Sequence, residues 1–231
     1  MENRELCIEL AQCVRMLEFL GLIDFSGHVS YRIPDREIML INSWGASRHK
    51  LGPDDIVLAD LDGNPLEAGV LLPSEKYIHT AIYRYHPHVL AVAHLHPPVT
   101  TSLSAAGKEY LPVMHHGAIF HAGVPVYDDC SHINSKEKGE AIAKILGNSR
   151  AVIMRGHGAV VVAESIKGVF FGSVYLEDNA KKLMDVYMMG ATPKVLRKDE
   201  LETCKKIWRQ DQFDKVWNYY VEKSGVTFDK G

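Results

Sequence analysis

Two histidines two residues apart, His94 and His96, close an apolar run, Val89-Leu90-Ala91-Val92-Ala93. Side chains alternate between the faces of a strand, so both imidazoles point the same way. Two imidazoles on one face make half of a first-row metal site, and a carboxylate can add a further ligand. Glu75 stands upstream in Pro73-Ser74-Glu75, and His157 downstream in Arg155-Gly156-His157-Gly158, between two apolar β-branched runs. The reading is that Glu75, His94, His96 and His157 converge on one divalent cation. Each piece has a plainer alternative. A His-x-His pair also fits hydrogen-bonded core histidines. Glu75 also fits a first-turn carboxylate favoured by the helix dipole. Gly-His-Gly also fits a tight hairpin with an incidental histidine, although glycine on both sides allows positive φ and close backbone approach. Glu75 and His79, four apart, share a helix face. They form either a metal pair of their own or a site-facing acid beside a locally bonded histidine.

All 12 histidines lie between His28 and His157, and none follows. This clustering favours a site built from the middle of the chain, with His49 and His88 read as surface residues. The 231 residues carry a net charge of −3 without a basic block, which excludes nucleic acid and anionic membrane as expected partners. Cys7, Cys13, Cys130 and Cys204 form no CxxC pair and read as reduced thiols of a cytoplasmic protein. No signal peptide and no membrane span is expected. There is no phosphate loop, nucleophile elbow or dinucleotide fingerprint. A cupin-like dioxygenase would place a carboxylate downstream of His-x-His, where this chain has Thr100 and Thr101.

The elements that must position these residues follow from periodicity. Leu6, Leu10, Val14, Leu17 and Leu20 predict a helix over 4–20, stopped by Gly21. Strands are predicted at 27–33, 37–41 and 56–59, then a helix over 75–85 with Ser74 as N-cap, then the His94 strand. A short helix over 100–106 precedes an irregular, histidine-bearing wall at 111–134. A helix over 135–146, a strand pair at 151–154 and 159–163, and helices over 166–189 and 200–221 complete the chain. One domain over 1–231 is expected, with a mixed or largely antiparallel sheet between helices.

The order Ser26-Gly27-His28-Val29-Ser30, Leu72-Pro73-Ser74-Glu75 with His79, Ala93-His94-Leu95-His96 and Arg155-Gly156-His157-Gly158 resembles the class II aldolase/adducin family over about residues 5–200. The resemblance implies an α/β fold, a single α/β/α domain with a central, mainly antiparallel sheet. It implies a homotetramer with active sites between subunits, and one divalent ion per subunit. Zinc comes first, with manganese or iron as alternatives, held at His94, His96 and His157. Glu75 would ligate the resting metal or act as acid/base.

The departures bear on substrate. His28 replaces the Asn of a Gly-Asn-x-Ser segment, Trp44-Gly45 replaces a Thr-Gly phosphate contact, and Pro73 replaces a phosphate-binding Ser. His116 stands where the sugar-phosphate aldolases carry a catalytic Tyr from a neighbouring subunit. The expectation is therefore a metal-dependent carbon–carbon lyase acting on a small molecule. Its first reading is a decarboxylase of a hydroxylated aromatic or heteroaromatic carboxylate. Glu75 and His116 are the expected proton-transfer groups. His28, Trp44, Ser74, His115 and Arg155 are the expected substrate contacts. An aldolase acting on a hydroxy-carbonyl compound or sugar phosphate is the alternative. A non-catalytic adducin-like module is a third reading, disfavoured by the complete Glu/His set.

Overall fold

The protein is described by a computed structural model over residues 2–228. Helix α1 (Glu2–Phe19) leads into strands β1 (His28–Arg32), β2 (Ile38–Asn42) and β3 (Ile56–Asp60). Then come α2 (Lys76–Tyr85), β4 (Ala91–Leu95) and α3 (Pro98–Ala105), followed by a 3-10 helix (His115–Phe120), β5 (Val126–Tyr127) and α4 (Lys136–Leu146). The hairpin β6 (Ala151–Met154) and β7 (Gly158–Ala163) precedes α5 (Ile166–Met188), α6 (Lys198–Cys204) and α7 (Gln210–Ser224).

The seven strands form one sheet in the order β3-β2-β1-β4-β7-β6-β5. Every pairing is antiparallel except β5 with β6. Strand alternation sorts the apolar residues into two cores. Ala91, Ala93 and Leu95 of β4 pack with Ala159, Val161 and Ala163 of β7 against residues of α1, α3, α5 and α7. Val92, Val160 and Val162 take the opposite face, with Ile78 and Ile82 of α2 and Ile142 and Leu146 of α4. His94 and His96 share the parity of Val92, so they look toward the α2 layer. Gly139 is what lets α4 lie close on α2, because a Cβ there would stand 2.3 Å from the Tyr77 carbonyl oxygen.

Three expectations need correction. Glu75, not Ser74, is the N-cap residue of α2, and Ser74 is exposed. The turn is closed by Lys76 N–H to Pro73 O at 3.1 Å and Ile78 N–H to Glu75 O at 3.0 Å, without a side-chain cap. The helix expected over 200–221 is two helices joined by a 3-10 turn, Lys205–Ile207. Tertiary packing breaks it at Trp208, whose ring meets Phe171, Phe213 and Arg150 and whose Nε1–H donates to Glu164 at 3.1 Å. The two-residue strand β5 lay inside the expected irregular wall, too short for any period to register.

Candidate metal centre

The four expected ligands meet at the β4/β7 end of the sheet. His94 Nε2 is 3.1 Å from Glu75 Oε2 and 3.2 Å from His96 Nε2. His157 Nε2 is 3.7 Å from Glu75 Oε1. One ligand atom from each of His94, His96 and His157 lies within 4.8 Å of the others. Each comes from a different local device. Strand alternation aims His94 and His96. The β6–β7 turn aims His157, with Gly156 at φ +67° turning the chain. The start of α2 aims Glu75.

The outward nitrogens settle which atoms face inward. His94 Nδ1–H donates to Ala159 O at 3.2 Å, and His96 Nδ1 lies 3.4 Å from Asp24 Oδ1. Both Nε2 atoms therefore turn bare lone pairs to the centre, the form a metal requires. Bonds of about 2.0–2.1 Å to one tetrahedral ion hold two nitrogens ~3.4 Å apart, close to the 3.2 Å found. Two lone pairs at that distance repel unless a positive charge sits between them, so the donor set fits a divalent cation. His157 Nδ1 is buried without a hydrogen-bond partner among the described residues.

Protonation agrees. Burial lowers the pKa of His96 and of His157, with neighbouring imidazoles adding to it and Asp24 and Glu75 opposing it, respectively. Glu75 is 3% exposed. Burial pushes its carboxyl up, but in the metal-free chain the hydrogen bond and charge of a protonated His94, the Ile133 N–H at 2.9 Å and the charge of a protonated His157 outweigh that and bring it to about 2. Glu75 therefore rests ionised.

The expected substrate contacts divide. His28 is brought in, because β1 pairs with β4 so that His28 stands directly opposite His94. His28, Glu75 and His94 also place one possible ligand atom each within 4.8 Å. Ser74 precedes Glu75 and is exposed. Trp44 is 59% exposed, on a loop anchored by its N–H to Leu71 O at 2.9 Å. Arg155 is exposed next to the His157 turn and pairs with Asp128. His115 and His116 are not brought in. They sit on the 3-10 helix, where His116 stacks on Tyr175 at 4.0 Å, and no contact joins either to the four ligands within the described chain.

Several neighbours escaped sequence reasoning. Arg48 is buried and donates from Nε to Gly27 O at 2.9 Å and from Nη1 to Ser43 O at 3.1 Å, tying the Trp44 loop to the start of β1. Asp24 backs His96, and His132 stacks 5.7 Å from His157. His79 bonds His28 and Ser30 rather than joining the ligands. The i,i+4 spacing to Glu75 offers His79 as a locally bonded histidine, and the fold bears that reading out; only the density of histidines hinted at His132. Nothing local distinguishes Arg48 from the other basic residues of its loop.

The chain is similar to several known proteins. A 3,4-dihydroxyphthalate decarboxylase of Rhodococcus jostii (strain RHA1) is 29% identical over 237 residues, covering 95% of this chain and 96% of that protein. An L-fuculose phosphate aldolase of Methanocaldococcus jannaschii is 28% identical, covering 73% of this chain and 90% of that one. An L-fuculose 1-phosphate aldolase structure from Glaciozyma antarctica PI12 shares the fold, with TM-score 0.83 at 19% identity over 97% of this chain and 91% of that one. Among the described residues no helix is long and apolar enough to cross a membrane. The description Class II Aldolase and Adducin N-terminal domain fits residues 8–184, and the chain belongs to that family, as an enzyme of it.

Proposed function

We propose that this single-domain chain is a metal-dependent carbon–carbon lyase that decarboxylates a hydroxylated aromatic or heteroaromatic carboxylate. The reading is carried by the set of four candidate ligands together with Trp44 and Pro73, which stand at two positions where phosphate donors would be expected. Phosphate dianions need several converging donors when taken out of water. Pro73 has neither a side-chain donor nor an N–H, and Trp44 offers one N–H and a broad flat face suited to stacking. The 29% identity to a 3,4-dihydroxyphthalate decarboxylase over nearly the whole chain supports the same choice.

His94, His96 and His157 would hold the ion, with Glu75 alongside. Imidazole ligation suits zinc, and the carboxylate leaves manganese or iron open. A bound divalent ion supplies Lewis-acid charge that stabilises the electron-rich state left when the bond breaks. The chain's own residues do the rest. The exposed face of Trp44 stacks on the ring. Arg155 and Ser74 offer donors to the carboxylate, Arg155 in bidentate fashion once it leaves Asp128. When CO2 departs, the bonding pair stays on the ring carbon and needs a proton. Glu75 rests ionised, so it must first take that proton from the substrate hydroxyl or from solvent before delivering it.

We also propose a cytoplasmic homotetramer in which His115 and His116 reach a neighbour's site. Among the described residues no contact joins His116 to the four ligands, so a role in proton transfer would require an interface. Hybrids of His116→Ala and His94→Ala chains are expected to regain activity, and dead hybrids would remove His116 from the mechanism.

The aldolase alternative is favoured by relatives such as the L-fuculose phosphate aldolase. The test is a metal-supplemented screen of hydroxyaromatic acids for CO2 release, beside cleavage of ketose 1-phosphates, in wild type and Trp44→Thr. CO2 release without sugar-phosphate cleavage is expected. Efficient sugar-phosphate cleavage with no CO2 from any acid reverses the order.

A further inference from the structure

We propose that His79, Ser30 and Tyr83 form a buried tautomer lock that makes His28 Nε2 a hydrogen-bond acceptor, so that the substrate group it recognises is a hydroxyl and not a carboxylate. The ligand class rests on the proposal that substrate binds at the metal centre, whereas the lock itself does not.

The lock is built from two interleaved pairs. His28 and Ser30 are two apart on β1 and face α2, while His79 and Tyr83 are one turn apart on α2. His28 Nδ1 lies 2.6 Å from His79 Nε2. His79 Nδ1 lies 2.6 Å from Ser30 Oγ, and Ser30 Oγ lies 2.6 Å from the Tyr83 hydroxyl. Tyr83 O–H then donates to Leu90 O at 3.3 Å. All four side chains are buried, none more than 3% exposed.

A carbonyl only accepts, so it sets the direction of the whole chain. Tyr83 gives its proton to Leu90 O and accepts from Ser30. Ser30 gives to Tyr83 and accepts from His79 Nδ1–H. His79 Nε2 is then bare and accepts from His28 Nδ1–H, which leaves the lone pair on His28 Nε2. The reverse direction gives up the Tyr83–Leu90 bond, and no hydrogen bond of His28 Nε2 among the described residues replaces it. Losing a hydrogen bond inside a buried network is the more strongly penalised state.

His28 stands opposite His94, with a possible ligand atom within 4.8 Å of both Glu75 and His94. A substrate entering there meets two acceptors, His28 Nε2 and the Glu75 carboxylate. That corner suits a group that brings a proton, and a carboxylate would face lone pairs and like charge.

The test reads tautomers directly. Imidazole 15N NMR on the full-length, metal-loaded protein is expected to show His28 and His79 as neutral rings protonated at Nδ1, the minor tautomer of free histidine. Signals are assigned by their loss in His28→Gln and His79→Gln and by their shift in Ser30→Ala. Calorimetric titrations with catechol and benzoate complete it. Ser30→Ala is expected to weaken catechol about tenfold while leaving benzoate unchanged. A proton on Nε2 of wild-type His28, or equal losses for both probes, overturns the proposal. If no hydroxyaromatic acid is decarboxylated while His28 still carries its proton at Nδ1, the decarboxylase reading falls and the lock stands.

Discussion

Gly158→Ala tests whether the metal centre depends on backbone approach as well as on its ligands. Gly158 opens β7 against the end of β4. A Cβ there would stand 2.2 Å from Leu95 O and 3.0 Å from His96 Cδ2. Carbon and a carbonyl oxygen meet comfortably at about 3.3 Å, so the methyl overlaps a backbone atom by about 1 Å. Leu95 lies mid-sheet, with β1 and β7 on either side of β4, and cannot retreat alone. The strands must part locally, at a cost of about 1–3 kcal/mol for overpacking. His96 moves with them. Metal–ligand distances tolerate about 0.2 Å, and disturbing a ligand's support typically weakens metal binding about 10–100-fold. The assay is Zn2+ competition against a chromophoric chelator, with urea unfolding of both metal-free proteins alongside. Gly156→Ala is the control. That residue has φ +67° and nothing within 4 Å of its Cβ, so it should lose about 1–2 kcal/mol of stability with metal affinity unchanged. Unaltered metal affinity and an unaltered urea midpoint in Gly158→Ala would refute the argument.

Three further outcomes are expected. His94→Ala and His157→Ala should each lose bound metal and activity while circular dichroism shows the fold intact, because the remaining donors are too few to hold the ion tightly; full metal occupancy would remove them as ligands. Glu75→Gln should bind substrate yet turn over about 10²–10⁴-fold more slowly, and near-normal turnover would leave Glu75 without a proton-transfer role. Burial lowers His79 from 6.5 to about 3, with the His94 charge adding and Glu75 opposing. The unfolded chain therefore binds the extra proton first as pH falls, and stability drops from pH 6.5 toward 3. The loss is about 2 kcal/mol by pH 5, checked by the urea midpoint of metal-free protein at pH 7 and 5; a flat midpoint would contradict a neutral buried His79.

Much of the fold was legible because its signals are local. The period of α1, the apolar runs of β4, β6 and β7 and the glycine stops each declare themselves within a few residues. So did the shared face of His94 and His96, since strand alternation needs no partner. What escaped is long-range. The register that sets His28 opposite His94 depends on how β1 meets β4 across more than 60 residues of chain. The carbonyls that satisfy Arg48 come from Gly27 and from its own loop, and no spacing announces them. The stretch at 111–134 reads as one wall, but the fold splits it. Ile133 reaches Glu75 through its N–H, while His115 and His116 lie with α5 and α6.

The start of α2 shows why the sequence rule failed where it did. Ser135 caps α4 and Ser165 caps α5, each accepting a backbone N–H from three residues on. Ser74 announces the same device by type and position, yet α2 begins one residue later and its N-cap, Glu75, makes no side-chain cap bond. A missing cap costs about 1 kcal/mol. The carboxylate that could have supplied it turns instead to the His94 and His157 imidazoles and to the Ile133 N–H, which crosses from another segment. The Ile133 bond and the two imidazole contacts hold Glu75 aimed, and they offset the uncapped helix end. A helix start that breaks the capping rule while its acid faces three histidines is a place where local preference has yielded to the site. The same logic covers Gly158, where the side chain is given up so that the β4 backbone at Leu95, and with it His96, can come close. In both positions the residue is explained by what it does for the candidate metal centre rather than by the element it sits in.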